Sequence, residues 1–242
     1  MSDATAFEPL LERAGIDSAI TARLARYGRL VLEANRRFNL TAATSPEELT
    51  EHILDSLTVV PFLTSPYVDV GSGAGLPAIP AAIAAEMPVT LIEATAKKAR
   101  FLESLLEALG IPGTVVSERA ETAAHNPRWR ERFASGTARA VAGASAVAEL
   151  LLPFLEPGGV AVLQQGSLPE PERHALQDAA LILGAEVEAE RRLEGSRRIV
   201  LIRKRTVTPA RFPRRSGVPA KRPLCSKDCR RPKLFAVKQF LR

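Results

Sequence analysis

Asp69-Val70-Gly71-Ser72-Gly73-Ala74-Gly75 packs one carboxylate and three glycines into seven residues. Tyr67–Val70 before it reads as a short strand, and Leu76–Glu86 after it as a small-residue helix. A strand, a glycine turn and a helix start bring main-chain N–H groups unusually close to a ligand. A dinucleotide fingerprint needs a third glycine at the sixth position, where Leu76 stands. A phosphate-cradling loop needs Gly-Lys-Ser/Thr after four intervening residues, and that lysine is missing. Asp69, carried into the turn, would repel a pyrophosphate but would suit the cationic amino-acid end of S-adenosylmethionine. The segment is therefore expected to hold a methyl donor, with Gly71 and Gly73 against it. Pro88–Glu93 reads as a second strand closing on an acid. In nucleoside-binding α/β folds, an acid about 20 residues past the glycine turn accepts hydrogen bonds from the ribose hydroxyls, and Glu93 meets that spacing. Alone, the glycines would pass for a tight turn and Glu93 for a solvated helix-starting acid. Together they favour the cofactor.

The elements that must position these residues alternate along the chain. Ile20, Leu24, Tyr27, Val31 and Phe38 recur at helical spacing, and Ser45-Pro46-Glu47-Glu48 is a capped start for a helix carrying His52–Ser56. Phe101–Leu109 forms an apolar helical stripe stopped by Gly110. Thr114–Val116, Thr137–Ala142 and Val160–Leu163 read as further strands. Trp129–Phe133, Leu150–Leu155 and His174–Leu183 read as helices, the second closed by Pro157-Gly158-Gly159, and Glu186–Arg192 with Arg197–Arg203 as an antiparallel closing pair. The pattern implies an α/β, doubly wound, mostly parallel seven-stranded sheet with ligands at the strands' C-terminal ends. The expected organisation is a helical extension over 1–62, a catalytic domain over 63–206 and a basic, proline-rich tail over 207–242.

Charge is divided unevenly. The net +6 arises because 14 Lys/Arg face only Asp228 from Arg203 onward, leaving the first 202 residues acidic. Such a segment suits phosphate contacts, so Arg214, Arg215, Lys221 and Arg222 are candidate RNA-binding residues. Its removal is expected to spare the donor site. The prolines rule out a continuous amphipathic membrane helix. No apolar run reaches about 18 residues and no signal-peptide pattern opens the chain, so a cytoplasmic location is expected. Cys225 and Cys229 are too few for a disulfide framework and lack partners for a zinc site, so no metal is expected.

Asn39-Leu40-Thr41, His52-Ile53-Leu54-Asp55-Ser56, Asp69–Pro77, Arg119-Ala120-Glu121 and Ala138–Ala142, with the Phe212–Pro219 and Lys221–Leu224 segments, closely resemble the glucose-inhibited division protein B (RsmG) family. These are bacterial guanine-N7 methyltransferases of 16S ribosomal RNA. The likeness covers residues 20–224 and leaves 225–242 without an account. It implies the class I S-adenosylmethionine-dependent methyltransferase fold and a monomer acting on 16S ribosomal RNA, the small subunit or an assembly intermediate. It implies cofactor contacts by Gly71, Leu76, Ala120, Glu121 and Arg139, with Arg139 also facing the methyl-transfer position. The family usually has a lysine where Gln165 stands; Gln165 keeps the hydrogen bonding and is expected beside the transferred methyl with Arg139. Arg139, or Arg197 and Arg198 on the last hairpin, are the available sources of charge, the latter two also as candidate RNA-binding residues. Guanine N7 carries no proton, so the chemistry needs no general base. That accords with the lack of a catalytic Cys, His or carboxylate cluster. His52 and Asp55 are expected beside the cofactor pocket, or as a structural hydrogen-bonding pair. Two alternatives remain at this point: a methyltransferase acting on protein or a small molecule, and a non-enzymatic rRNA-binding assembly factor with a vestigial cofactor site.

Overall fold

The structure, a computed structural model, describes residues 6–139, 142–193 and 195–224. Three helices lead the chain: α1 (Phe7–Arg13), α2 (Ser18–Asn35) and α3 (Pro46–Leu57). Asp17 caps α2 through a bond from Ala19 N, and Ser45 caps α3 by accepting from Glu48 N. Glu48 reaches back to Thr44 N at 2.7 Å, completing a reciprocal cap one residue earlier than the usual box. Asn35 pins the following turn. Its amide nitrogen donates to the Thr41 and Ala43 carbonyls, and its oxygen accepts from Leu40 and Thr41 N–H.

The sheet follows: β1 (Tyr67–Val70), α4 (Ala78–Ala85), β2 (Val89–Ile92), α5 (Ala96–Leu109), β3 (Gly113–Val116), α6 (Ala120–Ala123), β4 (Phe133–Arg139), α7 (Ala144–Leu151), β5 (Leu155–Gln165), α8 (Glu170–Ile182), β6 (Ala185–Arg192) and β7 (Arg198–Lys204). A last turn of helix, α9 (Val218–Lys221), lies in the tail. Strand order is β3-β2-β1-β4-β5-β7-β6, parallel from β3 to β5, with β7 antiparallel to both its neighbours. β1 and β4, at the centre of the parallel part, are almost wholly buried because helices cover both faces, while the edge strand β3 is mostly exposed. One apolar cluster joins Tyr27, Leu24 and Ile53 of the leading helices to Ile79, Leu91 and Leu102. A second joins β1, β4 and β5 to α7 and α8 and takes in Phe212 and Leu224 from the tail, and a smaller third joins Val59 and Ala81 to β5 and β7.

The doubly wound seven-stranded sheet stands as read from the sequence, but several spans move. The helix expected at 129–133 is a turn, with Glu131 in the left-handed region at φ 53°. The Arg130 guanidinium there donates to the carbonyls of Ala124, Thr208 and Phe212. β4 begins at Phe133 rather than Thr137, because Ser135–Ala138 pair in register with Tyr67–Val70. The helix expected at 150–155 is α7, ending at Leu151; its run of Ala, Ser and Val is buried all round and shows no polar face to read. Pro157-Gly158-Gly159 does not precede β5 but lies within it, as an irregularity between the Phe133–Leu155 and Ser135–Val160 pairs.

Candidate functional site

Sheet order reverses between β1 and β4, and ligands of such sheets bind outside the C-terminal strand ends at that point. Val70 and Ala138 are register partners there, so Gly71 and Arg139 emerge side by side. Gly71, Gly73 and Gly75 all have positive φ. At Gly75 a side chain would also meet Ile79 Cγ1 at 2.6 Å, so the turn closes on the start of α4 only without one.

A cleft of about 230 Å³ opens at this edge, lined by Gly71, Glu93, Ala120, Glu121, Ala142 and Gly217 among others. The Glu93 carboxylate is aimed by the backbone: Oε2 accepts from Gly73 N at 2.9 Å and Oε1 from Thr95 N at 2.7 Å. Each carboxylate oxygen has two lone-pair directions, so one on each remains for a ligand hydroxyl. Ala120, Leu150 and Ala220 add apolar wall. An acid for a diol and apolar surface for a flat base fit the nucleoside end of S-adenosylmethionine. Glu121 is buried, and its Oε1 accepts from Gly217 N at 2.7 Å.

Two expectations shift. Asp69 does not carry its charge into the turn: it is 1 % exposed within β1, its Oδ1 accepting from Thr137 Oγ1 at 2.6 Å and its Oδ2 lacking a hydrogen-bond partner. Burial pushes its pKa up to about 7, offset in part by the Thr137 and Ser72 hydroxyls. Leu76 packs into the apolar cluster of the leading helices instead of lining the cleft.

A second cleft, of about 450 Å³, is lined by Glu51, His52 and Asp55 of α3, by Arg139, by Gln164 and Gln165 at the end of β5, and by Arg197 and Arg198. Ala142 lines both clefts, so they are neighbours at this end of the sheet. Arg139 therefore belongs to the second cleft rather than to the lining of the first. Its Nη1 lies 3.4 Å from Asp55 Oδ2, and its Nη2 donates to His52 Nδ1 at 2.9 Å. A guanidinium can only donate, so Nδ1 is an acceptor and His52 carries its proton on Nε2. Burial first, then the Arg139 charge, hold the His52 pKa below its usual value. His52 and Asp55 are thus not bonded to each other; both hold Arg139. Arg197 pairs with Asp55 Oδ1 at 3.3 Å, while Arg198 donates to the Gly166 carbonyl at 2.8 Å and pairs with Glu190.

Sequence reasoning missed four participants. Gln164, next to the expected Gln165, donates to the Asp55 carbonyl at 2.7 Å and to Thr58 Oγ1 at 3.2 Å, fixing α3 on the sheet. An amide at the end of an apolar strand was the available signal. Thr137, which holds Asp69, looked like an ordinary strand residue. Gly217 and Ala220 could not be placed at the cleft from spacing alone. Of the tail cations, Arg214 is held by the buried Glu149, whereas the side chains of Arg215, Lys221 and Arg222 are exposed. Cys225 and Cys229 fall outside the described residues. Among the described residues no helix is long and apolar enough to cross a membrane, and no group of His, Cys, Asp and Glu could hold a metal.

A family model described as rRNA small subunit methyltransferase G matches residues 20–200. Proteins named ribosomal RNA small subunit methyltransferase G are 42% identical over 210 residues in Rubrobacter xylanophilus, covering 81% of this chain and 80% of that one. The protein of the same name in Chloroflexus aggregans is 42% identical over 213 residues, covering 84% and 90%. Among solved structures, the branched-chain polyamine synthase of Thermus thermophilus superposes with a TM-score of 0.51 at 15% identity, over 80% of this chain and 71% of that one. A candidate RNA methyltransferase from Pyrococcus horikoshii gives 0.50 at 11% identity, over 75% and 97%. At such identities these two likenesses concern the fold alone.

Proposed function

The chain belongs to the rRNA small subunit methyltransferase G family, and from that premise we propose that it transfers a methyl group from S-adenosylmethionine to N7 of a guanine in 16S ribosomal RNA. The observation that carries the reading is the pair of neighbouring clefts at the switch point, with Ala142 in the lining of both. One offers the Glu93 carboxylate and apolar walls, and the other is lined with arginines.

Glu93 takes the ribose hydroxyls, its orientation set by the Gly73 and Thr95 amides. Ala120 and Glu121 border the adenine. When bound, S-adenosylmethionine supplies a methyl group on a positively charged sulfur, which the bare N7 lone pair of guanine can take without a base. What remains for the protein is position. Arg139, fixed from two sides by Asp55 and His52, presents donors to the acceptor edge of the base, where O6 adjoins N7. Gln165 lines the same cleft and offers an amide where relatives of this family usually carry a cation. Arg197 adds positive charge at this cleft for the RNA backbone, and Arg215, Lys221 and Arg222 on the tail extend it. Holding the reactants in line removes much of the entropic barrier to a two-body reaction. The setting is the cytoplasm, where small subunits are assembled.

Incubating the protein with methyl-labelled donor and either small ribosomal subunits or ribosome-free protein extract tests the reading. Label should enter the ribosomal RNA, and borohydride/aniline treatment should cleave it at one guanine. Label confined to protein would overturn it.

A further inference from the structure

The tail was expected to serve RNA alone, yet its bonds run to the donor cleft. Residues 207–224 are tied to the body along their length. Arg130 donates to the carbonyls of Thr208 and Phe212, and the His125 ring contacts the Pro213 carbonyl at 2.8 Å. Arg214 meets Glu149, Gly217 N–H meets Glu121, and Leu224 is buried in the main apolar cluster. The Arg214 contact is the most elaborate. Glu149, on α7, has a side chain with 0% exposure and receives four hydrogen bonds from Arg214: one from the main-chain N at 2.8 Å, two from Nε at 2.9 and 3.1 Å, and one from Nη2 at 2.6 Å. The same Nη2 donates to the Arg222 carbonyl at 2.6 Å. One guanidinium thus holds both ends of the segment 214–222, and Gly217 and Ala220, between those ends, line the donor cleft.

We infer that Arg214 is a positioning residue for donor binding: clamped on Glu149, it holds Gly217 N–H against Glu121 and so completes the adenine side of the cleft. This rests on reading that cleft as the S-adenosylmethionine site, but not on RNA as the acceptor. Glu121 sits in α6, a single turn of helix, and the Gly217 amide is a donor that fixes its carboxylate. Without the clamp, Gly217 N–H and the Ala220 wall lose their anchor, and Glu121 loses the bond that orients it. The fixed fork of a guanidinium suits this task, since its separate nitrogens meet both carboxylate oxygens and a carbonyl; an ammonium gathers its three donors on one atom and lacks that span.

The experiment is calorimetric titration of the full-length protein with S-adenosylhomocysteine, without RNA. Wild-type binding comes first: no binding there would bring down the reading of the cleft itself. Given binding, Arg214→Ala should weaken it at least 10-fold, and Arg214→Lys should not restore it. Arg214→Ala leaves a buried carboxylate unpaired, so the double replacement Glu149→Leu with Arg214→Leu provides a variant whose fold does not depend on that charge pair. It should unfold at a temperature near wild type and still bind the ligand weakly. The discriminating readout is a cycle with Glu121→Ala. If Arg214 acts through the Gly217–Glu121 bond, adding Arg214→Ala to Glu121→Ala should weaken binding by less than 3-fold further. Full additivity, or wild-type affinity in the folded Leu/Leu variant, would overturn the inference.

Discussion

Removing the Glu93 side chain tests the donor site most directly. Two kinds of bond depend on it: those it already makes to the Gly73 and Thr95 amides, and those its remaining lone pairs would make to the ribose diol. A hydrogen bond to a charged group contributes about 1.5–3 kcal/mol. Glu93→Ala should therefore weaken S-adenosylmethionine binding by about 10- to 150-fold, since each 1.4 kcal/mol is tenfold. Glu93→Gln keeps the size and is still expected to fall in this range. Both carboxylate oxygens face main-chain N–H donors, so one of those donors would meet the amide NH₂, a donor against a donor. Titration calorimetry of the folded variants gives the answer, with circular dichroism to confirm the fold. Wild-type affinity in either folded variant would mean that Glu93 shapes the glycine turn without touching the ligand.

Arg139→Ala should lower turnover about 10²-fold, the scale of misplaced reactants, and change donor affinity far less, because Arg139 lines the second cleft; single-turnover kinetics with small subunits separates the two. Gln165→Lys should remain active in the same assay, and its inactivation would mean that this cleft has departed from the family's arrangement. Replacing Arg215, Lys221 and Arg222 together by alanine should flatten the salt dependence of RNA binding by about 2 units of log–log slope if each neutralises one phosphate of a single strand. An unchanged slope in filter binding would confine the RNA surface to the neighbourhood of Arg197. Because Asp69 titrates near 7 in the fold and lower in the unfolded chain, the fold holds the extra proton between those values. Stability should then fall as pH rises from about 4 through about 7. Asp69→Asn should remove that slope in urea denaturation at pH 5 and 8, and a slope that persists would place the titration elsewhere.

The sheet was legible because its strands alternate with helices of clear apolar period, and because Gly71–Gly75 and Glu93 have few uses other than a nucleoside site. Legibility failed where local signals stopped reflecting burial. α7 is buried on every side, so its Ala-Ser-Ala-Val run showed no period. Pro157-Gly158-Gly159 read as a break although the neighbouring strand supports it as an irregularity within β5. The partners of Arg130 and Arg214 stayed hidden because nothing local reveals a carbonyl or carboxylate more than 60 residues away in sequence. The tail's place at the cleft is a long-range fact of this kind. So is the holding of Arg139 by His52 and Asp55 across 80 residues or more.

The Tyr27 hydroxyl, carried by α2, donates at 3.0 Å to the Ala74 carbonyl inside the glycine turn, and it is fully buried there. A segment with three positive-φ glycines has more conformations to lose than any other stretch of its length, and a ligand that had to freeze it would bind more weakly by that amount. Here a bond from the leading helices fixes it in advance. The leading helices and the glycine turn are therefore one inheritable unit. A chimera that grafts this turn, or these helices, onto a related methyltransferase body should keep its donor affinity only when Tyr27 and Ala74 travel together.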